Sequence, residues 1–593
     1  MALFGVLLAA ISILPSQTLV NRVEDATLVI QLDEGDLTEK TRPLRLEAMR
    51  KAGADGLEVA VCNFYKTGAE RTAKLEKIAK DLRFFADAGF EPTVWTSTIG
   101  YGGYGNDPDF RRRFADCRMM RCFDGTERQL ACTTDERYLD AVCENIRDFI
   151  RAGARFILLD DDLVQAHRPD LGCVCDEHLR RTAARAGLPS VSAADVKASF
   201  TGGPNPIRTA FVDTLGETLL AFARRIRAAA DEVDPSVGIG LCSSDTIRDL
   251  DGIDLGEMLR ILAGRGHRPF VRLSGAPYWV ADQSGIGSRR YVGQGLGSVL
   301  EFVRWQKARF AGTETVICDE NDTHPRNSEV VPAEMCELYD RVTIAEGGLV
   351  RMKYILRLDG TKHSAEGVDP AYLSVHLAGL AEQRKTAAAF RGAKPYGFRV
   401  WHPERLIREE TLPESFMGCW ELKAFFTHPM AGVLLAANGA PVQYSEDAPG
   451  AAFGRVSALS VPRDRYRLGL VLDRAGADAL AEKGVDLGLR AADARRIGEW
   501  TLGRSKDGTF AVCDKTWYEL DYTERNPTAV PVGEIWRFFT GRDLDVSVPG
   551  AQGLVLIAAE HSDGTHVSLV GNARPERNAV LGLGPWECRL TSD

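Results

Sequence analysis

The chain has 593 residues, 45% of them hydrophobic and 26% charged, and a net charge of −10 at pH 7. That length exceeds what one hydrophobic core serves and implies two or three domains. The negative balance excludes a nucleic-acid binder, which needs a basic face. No apolar run reaches the roughly 20 residues of a membrane span, so no membrane partner is expected; a neutral or cationic small substrate fits.

The first residues, "MALFGVLLAAISILPSQ", have the apolar core of a signal peptide, but no Lys or Arg precedes Arg22. The positive leader region is therefore missing. The segment is expected to pack as an N-terminal strand of a cytoplasmic protein, with export the alternative. From about residue 27 onward, short β-rich runs alternate with amphipathic helical stretches. The runs are "ATLVIQL", "GLEVAVC", "EPTVWTSTI", "RFILLDD", "SVGIGLC", "RPFVRLSG", "TETVICDE" and "GLVRMKYIL". Between them lie helical segments such as "RTAKLEKIAKDLRFFADAG" and "PAEMCELYDRVTIAEGG", several closing on the Gly expected at a helix end. Eight β runs with helices between them predict a (β/α)8 TIM barrel over 1–392. A small three-layer α/β domain is expected over 393–494, with strands "GFRVWHP", "PVQYSED" and "RYRLGLVLD". The tail, 495–593, is expected to be a β-sandwich, with "SDGT" turning a hairpin.

Chemistry in such a barrel sits at the C-terminal ends of the strands. Asp160, Asp161 and Asp162 end the fourth run, and Glu320 ends the seventh. Retaining glycosidic cleavage needs one carboxyl to protonate the leaving oxygen and a second, about 5 to 5.5 Å away, to attack the anomeric carbon. Strands four and seven of one barrel can supply that pair. An Asp cluster after a strand also suits a helix cap or a Mg²⁺ site. Mutual repulsion among three adjacent carboxylates requires a cation partner or a retained proton for at least one of them. Trp95 and Tyr101 after strand three, and Tyr278 and Trp279 after strand six, are candidate faces for a sugar ring. Asp33, Glu34, His324, Arg326 and Lys353 are weaker candidates. Asp319 and Asp322 flank Glu320 as rivals, but alternation along a strand turns Asp319 away if Glu320 faces the mouth.

The segment "LDDDL" resembles the Ile-Asp-Asn-Glu-type end of strand four in clan A glycoside hydrolases, and among them the family 42 β-galactosidases. The order of barrel, small amidotransferase-like α/β domain and β domain agrees with theirs. The resemblance implies that Asp160 takes the Asp position, Asp161 the Asn that contacts the sugar 2-hydroxyl, Asp162 the acid/base and Glu320 the nucleophile. It further implies a homo-oligomer, a trimer, joined through the α/β domain. Two departures stand out. Asp162 is one methylene shorter than Glu, and Asp161 replaces an amide, which points to another sugar, a 2-amino sugar, or a distinct family.

Thirteen cysteines in so long a chain are not a secreted disulfide scaffold. Their odd number and uneven clustering suit reduced thiols with a metal site. "GCVCDEH" gives Cys173, Cys175 and His178, and thiolate and imidazole at this spacing can hold three corners of a tetrahedral zinc. Cys117, Cys122 and Cys132, after strand three, are candidates for the fourth. Relatives in family 42 carry a structural zinc on a C-x-C-x-x-C run plus one Cys from the strand-three loop. Here His178 stands in the last place of the run, and Cys132 best fits the fourth corner. No organic cofactor is expected: "GQGLGS" imitates a dinucleotide loop but lies far from any first βαβ unit.

The expectation is a retaining exo-glycosidase that releases a terminal β-linked sugar, galactose by resemblance. The alternatives are a barrel that binds carbohydrate without hydrolysing it, and a divalent-metal-dependent lyase or isomerase acting on a sugar.

Overall fold

The computed structural model describes residues 26–100, 108–166, 170–244, 249–274, 296–322, 328, 331–348, 350–356, 370–418, 422, 425–426, 428–522, 526–548, 554–572, 582–583 and 587–592. The N-terminal apolar segment lies outside them. Among the described residues, no helix is long and apolar enough to cross a membrane.

All eight predicted barrel runs are strands: Thr27–Asp33, Gly56–Ala60, Thr93–Thr96, Phe156–Leu159, Gly238–Ser244, Phe270–Ser274, Val316–Asn321 and Val350–Lys353. They pair parallel in chain order, and the first closes on the last. Each strand divides its side chains by period two. Ile157 and Leu159 join the large core between barrel and helices, while Leu158 turns inward with Ala60, Trp95 and Cys242. Cys318, Met352 and Tyr354 form a second inward cluster. The phase of strand four thus directs its next even residue, Asp160, toward the axis. That of strand seven directs Glu320 inward and Asp319 outward.

The loop after strand three carries a hairpin, Met119–Arg121 with Glu127–Ala131, before the helix Glu136–Arg151. The loop after strand four continues into the helices Asp176–Ala186, Ala193–Ser199 and Pro206–Asp231. The longest of these packs backbone to backbone on the loop after strand five. A Cβ at Gly216 would stand 2.3 Å from the Gly252 carbonyl oxygen, and one at Gly252, whose φ is +69°, would stand 2.0 Å from that of Val212. In the same loop Asp251 accepts the amides of Gln165 and Ala166, both at 2.7 Å, which ties loop four to loop five.

The second domain extends past residue 494. Five parallel strands, Val442–Gln443, Phe398–Val400, Gly450–Ala452, Leu470–Leu472 and Thr509–Cys513, are edged by the antiparallel strands Trp500–Arg504 and Arg495–Ile497. The tail expected to start a β-sandwich at 495 therefore completes this sheet instead. Thr509–Cys513 is buried at every position, as a central strand is. The terminal β unit is, among the described residues, one sheet: Lys394–Pro395, Leu554–Glu560, His566–Asn572 and Cys588–Ser592. It lies on the barrel, with Val555, Ile557, Val567 and Leu569 in the barrel's own outer core, so that core takes the place of a facing second sheet. The turn at "SDGT" joins its two long strands.

Gly216→Ala should lower stability by about 1–3 kcal/mol, the overpacking cost outweighing the roughly 1 kcal/mol gained in helix propensity. Thermal unfolding of the two proteins measures it; an unchanged or higher melting temperature would mean that the helix can retreat from loop five at no cost.

Candidate active site

At the centre of the barrel Arg272, from strand six, is 1% exposed. Its Nη1 lies 2.8 Å from Glu58 on strand two. Its Nη2 lies 3.2 Å from Glu320 Oε1 and 3.8 Å from Asp160 Oδ1. Glu320 Oε1 and Asp160 Oδ1 therefore lie no more than about 7 Å apart, a bound that admits both the closer carboxyl pair of retaining glycosidases and the wider pair of inverting ones. Tyr354, just past strand eight, donates its hydroxyl to Glu320 Oε1 at 3.0 Å. The guanidinium stands 4.8 Å over the Trp95 ring, which meets Tyr354 edge-on. Burial works against the charge on Arg272, but Cys242, Glu320, Tyr354 and Glu58 around it hold its pKa well above the ordinary arginine value. A buried guanidinium is tolerable only with such partners.

The strand-four carboxylates thus part company. Asp160 reaches the axis and accepts the Asp161 amide at 2.9 Å. Asp161 sits partly exposed in the turn that follows. Asp162 does not take the place expected of it. It is wholly buried and accepts the Thr98 amide at 2.8 Å, the Thr98 hydroxyl at 2.7 Å and the Gly100 amide at 2.5 Å. Both of its oxygens are engaged by the strand-three loop. The resemblance drew the acid/base to Asp162, whereas the strand phase places Asp160 toward the mouth.

Trp95 is 6% exposed and carries Arg272 on its ring, so it supports the guanidinium and is not an open platform for sugar. Asp319 faces outward to Lys307 at 2.8 Å, and Lys353 faces outward to Asp340 and to His376 at 3.0 Å. Asp33 caps the turn after strand one through the Gly35 amide at 2.8 Å, and Glu34 pairs with Lys74 and with Lys77 at 2.7 Å. Asp322 is buried directly after strand seven. Tyr101, Tyr278, Trp279, His324 and Arg326 lie outside the described residues. Glu58, Arg272 and Tyr354 were not anticipated. The available signal was a full charge inside an apolar strand run, in "GLEVA" and "FVRLS", because such a charge requires a partner across the barrel.

The cysteine run does assemble. Cys132, Cys173, Cys175 and His178 are all buried, with their ligand atoms within 4.8 Å of one another. Cys132 Sγ is 3.8 Å from Cys173 Sγ and 3.7 Å from Cys175 Sγ. His178 Nδ1 is 3.2 Å from Cys175 Sγ and 3.8 Å from Cys132 Sγ. A tetrahedron of Zn–S bonds near 2.3 Å has edges of about 3.8 Å, so the donors stand where a tetrahedral ion would put them. The sulfurs are too far apart for a disulfide, and the cysteines are free. Hydrogen bonding from Cys132 and Cys173 pulls the Cys175 thiol far down, toward the thiolate that a metal takes. The other imidazole nitrogen, Nε2, meets the Thr218 hydroxyl at 3.5 Å, an outer contact that orients the ring. Cys117 and Cys122 are not part of the group. The cluster joins the hairpin loop after strand three to the start of helix Asp176–Ala186, whose N-cap is Cys175. A buried Cys₃His group of this kind can hold a metal ion, and all four positions are filled by protein.

No protein-family model and no curated protein matches the chain. Solved structures do match it, along nearly its whole length. The β-galactosidase of the Antarctic haloarchaeon Halorubrum lacusprofundi is 12% identical, with 96% of this chain and 99% of that one covered and a TM-score of 0.53. The cold-adapted β-galactosidase of Rahnella sp. R3 is 10% identical, with 97% and 99% covered and a TM-score of 0.57. A catalytic mutant of a GH42 β-galactosidase from G. stearothermophilus is 11% identical, with 96% and 98% covered and a TM-score of 0.57. At such identities the likeness is one of fold, and it runs from barrel to terminal sheet.

Proposed function

We propose that the protein is a retaining glycoside hydrolase of the clan A kind, resembling the family 42 β-galactosidases, that releases a terminal β-linked sugar with Glu320 as nucleophile and Asp160 as acid/base. The observation that carries this is the shared guanidinium. Glu320 lies closer to Arg272 than Asp160 does and also receives the Tyr354 hydroxyl. Both contacts favour its ionised form, the form that attacks. Asp160, at 3.8 Å from the same nitrogen, is the more weakly paired of the two. As the more weakly paired carboxyl, it is the one this proposal assigns to carry the proton. In the first step Glu320 attacks the anomeric carbon while Asp160 passes its proton to the departing oxygen. In the second, Asp160 takes a proton from water, whose oxygen displaces Glu320 and frees the sugar. Asp161, in the turn at the mouth, is the sugar-contacting residue of this proposal. Galactose and a homotrimer come with the family resemblance and belong to the same proposal.

Glu320→Gln should remove nearly all turnover on aryl β-glycosides. Asp160→Asn should cost much less on nitrophenyl substrates than on alkyl glycosides, because a good leaving group needs little protonation, and azide should partly restore it with a β-glycosyl azide as product. Asp162→Asn should lower the melting temperature, since it loses charge-assisted bonds to loop three worth about 1.5–3 kcal/mol each. A panel of aryl and alkyl glycosides checks the first two, and thermal unfolding checks the third. Equal loss on both substrate types in Asp160→Asn, without azide rescue, would move the acid/base role to Asp161.

We further propose that Cys132, Cys173, Cys175 and His178 hold one structural zinc. The ion would pin loop three, which carries Thr98 and Gly100, to loop four, which carries Asp162. Elemental analysis of protein purified without chelators should find about one zinc per chain. Cys175→Ser should lower the melting temperature more than it lowers turnover per folded molecule, because a site with four protein ligands has no open position for chemistry. Purified protein free of metal would refute it.

A further inference from the structure

We propose that Glu58 and Arg272 together set the protonation of Glu320, with Glu58 drawing the guanidinium away from the carboxylate that has to remain reactive. The inference rests on the reading of Glu320 as nucleophile, but its measurement does not need turnover. Glu58 is 2% exposed on strand two and takes Arg272 Nη1 at 2.8 Å. Glu320 takes Nη2 at 3.2 Å, so the two carboxylates share one cation through its two arms. A nucleophile bonded to an undivided guanidinium would be fully ionised but held tightly, its lone pairs committed to the cation. Sharing with Glu58 weakens that hold, and the negative charge of Glu58 adds to the effect.

The groups that face Arg272 come from several strands. They are Glu58 from strand two, Asp160 from strand four, Cys242 from strand five, Glu320 from strand seven and Tyr354 from just past strand eight. Cys318, on strand seven, is the register neighbour of Arg272. Trp95, whose ring lies 4.8 Å under the guanidinium, brings no charge. Glu58 and Arg272 are positioning residues: they act on Glu320 and not on the sugar.

The test is the titration of Glu320 in full-length protein labelled with carbon-13 at glutamate carboxyls, its signal assigned by loss in Glu320→Gln. Glu58→Gln, a neutral isostere, frees Arg272 for Glu320 and should lower the Glu320 midpoint by roughly one pH unit. Arg272→Met should raise it by at least as much. If Arg272→Met does not fold, Glu58→Gln alone decides. The acidic limb of the pH–rate profile should move with the midpoint in each variant, which loss of packing alone would not cause. A Glu320 midpoint unchanged in Glu58→Gln, or displaced upward, overturns the proposal. Midpoints that shift as expected in a protein that hydrolyses no glycoside would uphold the tuning and reject the glycosidase reading. Hydrolysis with an unmoved midpoint would do the reverse.

Discussion

One guanidinium organises the inside of the barrel. Arg272 meets Glu58, Asp160 and Glu320 at a depth where solvent cannot share the task. Three buried carboxylates without a cation would each bear a desolvation cost of several kcal/mol. With it, strands two, four, six and seven are cross-linked by charge in the interior of the barrel. The same contacts that make the cluster tolerable also make it unequal, and inequality between carboxyls is what acid/base chemistry requires.

The outer frame holds these strand ends in register. Asp162 fastens loop four to loop three through the Thr98 and Gly100 amides. The Tyr138 hydroxyl, on the helix that follows the hairpin, bonds the Thr98 carbonyl from the other side. Asp251 fastens loop four to loop five through Gln165 and Ala166. The Cys₃His group closes a further link between the hairpin loop and the helix that opens at Cys175. Asp160 precedes these fastenings, and its own amide bonds the Thr96 carbonyl of strand three at 2.8 Å, so its approach to Arg272 is set by the backbone around it and not by its side chain alone.

Much of this was legible in the sequence, for physical reasons that can be named. Strands of a parallel barrel are covered on both faces and read as continuous apolar runs, so all eight could be placed. The Cys-x-Cys-x-x-His spacing gave three ligands, and Cys132 proved to be the loop-three thiol that reaches them. The hairpin over 495–504 shows only that two strands pair. Which sheet they join depends on Thr509–Cys513, whose unbroken burial was the sign of a central strand of the preceding domain. The acid run is a different case. "LDDDL" was laid on a family pattern, which drew attention to Asp162. Period two counted from the inward Leu158 leads instead to Asp160. Local strand phase carried more information than the borrowed register.

Charges placed inside apolar runs are the strongest pointers to the centre of this barrel. Glu58 interrupts "GLEVA" and Arg272 interrupts "FVRLS". Either alone would be a costly defect in a barrel strand. Two such residues of opposite sign, both on the inward phase of strands that do not pair directly, imply a contact across the axis. Every strand in such a barrel has its inward residues stacked in layers, so a long cation on strand six and a carboxylate on strand two can meet only at the centre. Once that contact forms, the charge on the other arm of the guanidinium is met by the inward carboxylates at the ends of strands four and seven, Asp160 and Glu320. The pairing of the two proposed reacting groups then follows from the charge of a buried arginine, while Asp162, two residues on, is held by Thr98 and Gly100 of loop three instead.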